Sequence, residues 1–222
     1  MAKNSTPLLI IVAVIAMSAG LWLAQSSSTR TDTIKPPAIQ GAIYSSDKSI
    51  RPFKLLNHLG NEFTNKNFNG KWSIIFVGYT HCPDVCPTTL SLMADVYREM
   101  SQQKITPPNV IFLSVDPERD TVDIMKNYVE YFNSQFTGVT GTLSEIKNLS
   151  QDLNAVYRKA AGLNGKITED DYLMDHSSAL ILLNPKGNLQ AILTAPHTLG
   201  SVIDSILKTR AYYTSTNEEI NN

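Results

Sequence analysis

Cysteine is almost missing from this chain: 222 residues hold two, Cys82 and Cys86. Clusters of positive charge are missing altogether, with no run of Lys and Arg reaching about five, and the formal net charge is −1. Nucleic-acid binding rests on neutralising phosphates, so that balance argues against it. No internal repeat of about 20–50 residues and no low-complexity tract is visible, which excludes a solenoid or an array. The N-terminal region has no room for an Arg-rich amphipathic presequence. No cysteine lies near it, which excludes a lipoprotein anchor.

One long apolar run is present. Leu8 to Ala24 carries no charge and is preceded by Lys3. As a helix rising about 1.5 Å per residue it would be about 26 Å long, at the short end for a membrane span. Trp22 sits near one end, where an interfacial aromatic is expected. A cleaved signal peptide is the competing reading. Cleavage after Ala24 would place bulky Trp22 where a small residue is wanted, and cleavage after Ala19 would leave a shorter apolar core. An uncleaved N-terminal transmembrane anchor over 1–24 is therefore expected. Lys3 and the α-amino group would stay in the cytoplasm. The rest would lie in the periplasm, at a bacterial inner membrane. Residues 25–49, rich in Ser, Thr and Pro, read as a flexible linker. A folded domain is expected over 50–213 and a loose polar tail over 214–222.

The two cysteines stand four positions apart in Gly78-Tyr79-Thr80-His81-Cys82-Pro83-Asp84-Val85-Cys86-Pro87. Apolar residues from Ile74 to Val77 lead in, and a helical pattern leads out. Side chains at i and i+4 of a helix share a face, with Cα atoms about 6 Å apart. That spacing suits a redox-active pair able to close a disulfide, and equally two thiolates gripping one metal ion. A helix N-terminus would lower the pKa of Cys82 in particular. A plain structural disulfide, or two buried apolar fillers, is the bland alternative. A staple closing so short a loop removes little chain entropy, so the chemical readings are preferred.

The rest of the chain supplies the frame. A short hairpin is expected from Phe53–Leu56 and Asn61–Thr64, and a buried strand over Trp72–Tyr79. A helix is expected from about Pro87 to Gln103. A second buried strand over Val110–Val115 is followed by a helix through about Phe132. Thr137–Thr142 reads as a strand and Leu143–Ala161 as a helix. A polar loop spans Gly162–Asp171. Ala179–Leu183 and Leu189–Leu193 flank Asn184-Pro185-Lys186-Gly187-Asn188, a hairpin with turn chemistry. Val202, Ile203, Ile206 and Leu207 face a last helix. This order, with thiols at the first strand's end, predicts an α/β, thioredoxin-like fold.

Three segments in this order, Tyr79–Pro87, Ser114–Thr121 and Asp175-His176-Ser177, closely resemble the SCO/SenC family of cytochrome c oxidase assembly proteins. The likeness covers about Phe53 to Leu207, although Arg51-Pro52-Phe53 lacks glycines often found there. The resemblance implies a copper site built from Cys82, Cys86 and His176, with copper as Cu(I) or Cu(II). It implies the copper-bearing subunit of the oxidase, or another copper-requiring client, as the partner. Periplasmic copper donors and thiol reductants would be further partners. Two thiolates and an imidazole are a soft, low-coordinate set that suits copper, whereas structural zinc usually takes a fourth protein ligand. His176 would come from the loop before the hairpin, with Asp175 as an orienting neighbour or a turn residue. His81 is a weak candidate, and His58 and His197 read as incidental. Residues 116–121 carry a helix cap at Asp120 or Thr121 and lie at the sheet end that holds the cysteines. A thiol-disulfide oxidoreductase, with Cys82 the more exposed of the two and Cys86 resolving, is the alternative function. A peroxidase would need Ser or Thr three residues before its reactive cysteine. Tyr79 and Pro83 stand there instead.

Overall fold

The computed structural model describes residues 6–26, 35–162, 164–168 and 171–220. The chain divides into two units, Met1–Lys35 and Pro36–Asn222. The first holds one helix, α1 (Thr6–Ser26). Among the described residues no helix is long and apolar enough to cross a membrane. The run 8–24 expected as an anchor reaches past residues 10–23, the part of α1 whose side chains are described.

The second unit opens with β1 (Gly41–Lys48), β2 (Leu55–Asn57) and β3 (Glu62–Phe63), then a short 3-10 turn. Next come β4 (Ser73–Gly78), α2 (Val85–Gln102), β5 (Asn109–Ser114), α3 (Val122–Phe132) and β6 (Thr137–Thr140). α4 (Leu143–Asp152), β7 (Tyr157–Ala161), β8 (Tyr172–His176), β9 (Leu180–Leu183), β10 (Leu189–Leu193) and α5 (Leu199–Ile220) complete it. Eight strands form one sheet in the order β1-β10-β9-β4-β5-β6-β2-β3, and β7 pairs only with β8. β4, β5 and β6 are parallel, while β9 returns antiparallel on β4. Parallel strands need crossovers, supplied here by α2 and α3.

The centre of the sheet is apolar without alternation. Ile74, Ile75, Phe76 and Val77 are all fully buried, as strands covered on both faces should be. On α2, Leu90, Met93, Val96 and Met100 are buried at helical spacing and face this core. Burying such a side chain contributes about 1.5–3 kcal/mol. The α/β, thioredoxin-like architecture expected from the sequence is the one found.

Several local expectations need correction. The linker expected over 25–49 does not run that far, because Gly41, Ala42 and Ile43 pair with Leu193, Ile192 and Ala191. Residues 27–34 of that segment lie outside the described residues. The helix expected to Ala161 stops at Asp152, where Asn154 takes a left-handed φ of 56°. Asparagine tolerates that conformation just past a helix end, and the chain then enters β7. The tail expected after Tyr213 continues α5 to Ile220. Hydroxyls of Thr214 and Thr216 donate to the carbonyls of Arg210 and Tyr212, four residues back along the helix.

Candidate metal centre

β4 ends at Gly78 and hands the chain to a tight turn in which the Cys82 amide donates to the Tyr79 carbonyl at 3.3 Å. α2 begins at Val85, two residues earlier than the pattern suggested, which puts Cys86 in its first turn. Cys82 therefore faces the amides at the helix start. Its Sγ accepts from the Cys86 amide at 3.4 Å. Both cysteines are free thiols, Cys82 being 9% exposed and Cys86 fully buried.

This placement separates the two thiols electrostatically. The hydrogen bond from Cys86 is the largest effect on Cys82. Against the opposing cost of burial, and with help from His176 and the amides of Asp84 and Cys86, its pKa falls to about 4. The same bond, together with burial, pushes Cys86 far up. The reduced pair thus holds one thiolate and one thiol near neutral pH. A lowered pKa means the thiolate persists as pH falls until that pKa is crossed. Alkylation of the metal-free, reduced protein should therefore follow a midpoint near 4 for Cys82, with Cys86 silent. At pH 6 the thiolate excess over an ordinary thiol of pKa about 8.5 is about three hundredfold. Weaker nucleophilicity takes back about a hundredfold, leaving a net gain of about threefold. A midpoint near 9 in mass-spectrometric labelling would refute this.

His176 closes the group from far along the chain. It is the last residue of β8, not a loop residue as expected, and β8 is half of a separate two-stranded arm. Nε2 lies 3.3 Å from the Cys86 Sγ, and Nδ1 lies 3.1 Å from the Ser177 carbonyl. With Nδ1 turned to that carbonyl, Nε2 is the nitrogen left facing the thiols and the one placed to ligate an ion. Phe76 and Tyr79 meet the ring edge-on, with centroids 5.9 and 6.0 Å away. The donor atoms of Cys82, Cys86 and His176 all lie within 4.8 Å of one another. Among the described residues this is the one cluster of three metal-ligating side chains.

The neighbouring candidates fall elsewhere. Asp175 pairs with Arg158 at 2.9 Å and does not orient the His176 ring. His81 Nδ1 faces the Thr80 hydroxyl at 3.1 Å and lies 3.7 Å from Asp120. His58 Nδ1 accepts from the Gly138 amide, and His197 meets the Ser178 carbonyl. Thr121 caps α3 by accepting from the Ile124 amide, whereas Asp120 turns inward. Fully buried Asp120 accepts from the hydroxyls of Thr80 at 2.6 Å and Ser114 at 2.5 Å, which ties the cysteine loop to β5.

The sequence reading missed what holds the arm. Tyr172 starts β8, and its hydroxyl donates to buried Asp116 at 2.7 Å. Arg119 bonds Asp116 at 2.6 Å and the Tyr172 carbonyl at 3.1 Å. Its guanidinium lies 3.6 Å over the Tyr172 ring. On the rim, Lys159 of β7 reaches Glu118 at 2.7 Å. Tyr172, Met174 and His176 share one face of a strand, so alternation was the available signal.

Parallel β4–β5–β6 with crossover helices, and thiols at the end of β4, define a thioredoxin-like protein. Its donor set is two sulfurs and one imidazole, with no carboxylate. Residues 42–210 match the SCO1/SenC family. The chain is 33% identical over 218 residues to a mitochondrial SCO2 homolog of Bos taurus, covering 95% of this chain and 77% of that one. Among solved structures it resembles Arabidopsis thaliana ScoI with copper bound, at TM-score 0.66 and 34% identity, covering 72% of this chain and 96% of that one. Bradyrhizobium japonicum ScoI with copper bound gives TM-score 0.61 and 34% identity, covering 74% and 99%. The chain belongs to the SCO1/SenC family.

Proposed function

We propose that this protein is a copper chaperone, carrying copper as cargo on Cys82, Cys86 and His176. The observation that carries the reading is the donor set itself: two sulfurs and Nε2 within 4.8 Å. Soft, low-coordinate donors favour Cu(I) and tolerate Cu(II). The copper-bound relatives of similar fold support the choice of metal. Three donors hold an ion without caging it, so an incoming thiolate or imidazole of a client can add before one of them leaves. The client we assign is the copper-bearing subunit of cytochrome c oxidase, during assembly of its copper centre. The charge-free run Leu8–Ala24, flanked by Lys3, supports a single N-terminal anchor at a bacterial inner membrane, with the domain in the periplasm.

A second reading rests on the split between the thiols. The Cys82 thiolate can attack a client disulfide, forming a mixed disulfide and releasing one client thiolate. Cys86 then loses its proton and attacks Cys82 Sγ, which frees the second client thiolate and leaves Cys82–Cys86 oxidised. Two electrons pass from this pair to the client. Both roles use the same cysteines, and only the copper role needs His176.

Copper stoichiometry and absorption of the reduced protein test the first reading. One copper per chain is expected, with thiolate-to-Cu(II) bands that disappear in C82S and in C86S. A protein that binds no copper yet reduces model disulfides would overturn it in favour of the second.

A further inference from the structure

A second cleft lies at the far end of the parallel strands from the thiols, where β4 and β5 begin. It encloses about 340 Å³ between the start of β4, the α2–β5 connection and α5, with Lys71, Trp72, Tyr97, Asn109, Gln135 and Arg210 in its lining. Among the described residues no acidic side chain lines it. Arg210 projects from α5, and one terminal nitrogen, Nη1, donates to the Thr106 carbonyl at 2.7 Å. Its guanidinium lies 5.6 Å over the Trp72 ring. Nε is buried and has no partner among the described residues. No carboxylate among them pairs with this arginine either. Burial is accordingly the one influence on its pKa, and it lowers it.

Covering a guanidinium without a counter-charge is costly, and arginines in such places are ordinarily paired. Guanidinium N–H groups receive carboxylates and phosphates. Here Nη2 is the nitrogen left over, since Nη1 has bonded the backbone and Nε is closed off by the protein. Lys71 adds a second cation at the mouth, exposed to solvent. We propose that this cleft is a binding site for a small oxyanion, a phosphate or carboxylate group seated on Arg210 and Lys71 above Trp72. The bland alternative is an arginine that merely covers Trp72 and is hydrated. That alternative accounts for the stacking and gives Lys71 no role.

Trp72 reports on the site directly, because Arg210 lies over its ring. The chain has two tryptophans, so a full-length W22F protein in a non-ionic detergent makes Trp72 the sole emitter. Titration with inorganic phosphate, and separately with succinate, at constant ionic strength should give a saturable change in emission. Half-saturation should move at least about tenfold higher in R210Q and in K71E. K71E alters an exposed side chain, so it keeps the test valid if R210Q fails to fold. Mixed micelles of the detergent with phosphatidylglycerol, compared with phosphatidylcholine ones, identify the source: a lipid headgroup if the anionic micelles compete at lower phosphate equivalents, a free anion if they do not. A linear response in the W22F parent to phosphate, succinate and micelles alike would overturn the proposal. So would half-saturation that stays unchanged in K71E. Copper stoichiometry should be the same in K71E, which keeps this site's fate separate from that of the thiol site.

Discussion

Replacing His176 with alanine is expected to weaken copper retention by at least about 100-fold while leaving disulfide exchange intact. Changing a residue that only supports a metal ligand typically costs about 10–100-fold, so removing a ligand should cost no less. The imidazole supplies one of three donors, and no other histidine can take its place. His81 faces Thr80, His58 bonds the Gly138 amide, and His197 bonds the Ser178 carbonyl. The thiol chemistry loses little, because the Cys86 thiol is the largest influence holding Cys82 as a thiolate and His176 a smaller one. The measurement is a competition titration with a Cu(I) chelator, run beside a mixed-disulfide trapping assay. Undiminished copper affinity would remove His176 from the ligand set. Loss of both activities together would show that the change had damaged the fold.

The second large effect is expected at Gly78, the last residue of β4. A Cβ there would stand 2.7 Å from the Cys86 Sγ and 2.7 Å from Phe112 Cε2. Real contacts of that kind do not go below about 3 Å, so something must move. Cys86 is fixed by the first turn of α2, and Phe112 is fully buried in the centre of the sheet. Neither can retreat cheaply. Overpacking typically costs about 1–3 kcal/mol, and with two rigid neighbours we expect Gly78→Ala near the top of that range. For a domain of this size that is a fall of about 6–12 °C in Tm. If it is the Cys86 sulfur that yields, it leaves its place 3.3 Å from His176 Nε2, so copper affinity should fall with stability. A melt within about 2 °C of the parent would show that the strand end yields more readily than the contacts imply.

How much of this could be read in advance depended on what each segment touches. The cysteine loop, β4, β5, α2 and α3 were legible because their surroundings are uniform. A strand covered on both faces is apolar throughout, and a helix on its flank repeats every 3.6 residues. The β9–β10 hairpin was legible because Asn184 and Gly187 carry turn chemistry, Gly187 with φ 79°. β1 was not, because Gly41–Lys48 is an edge strand with one neighbour, and pairing with β10 holds its polar sequence extended. β7 fails for a related reason. Tyr157–Ala161 is largely exposed, Val156 before it is 72% exposed, and no face repeats to betray it. At the site, the three donors were readable from motif likeness. Their neighbours were not, since Tyr172, Arg119 and Asp116 meet only once the arm folds back over residues 116–119.

Under the proposed chaperone role, the separate pairing of β7 with β8 bears on how copper would leave. The two sulfurs belong to the rigid body of the sheet, fixed by β4 and by the start of α2. The imidazole rides on a ribbon outside that sheet, fastened chiefly by Tyr172, Arg119 and Asp116. The donors are therefore mounted on two parts, the sulfurs on the sheet body and the imidazole on the ribbon. Under the chaperone role proposed above, a client that displaced the ribbon would free the nitrogen side first and leave the ion on the two sulfurs.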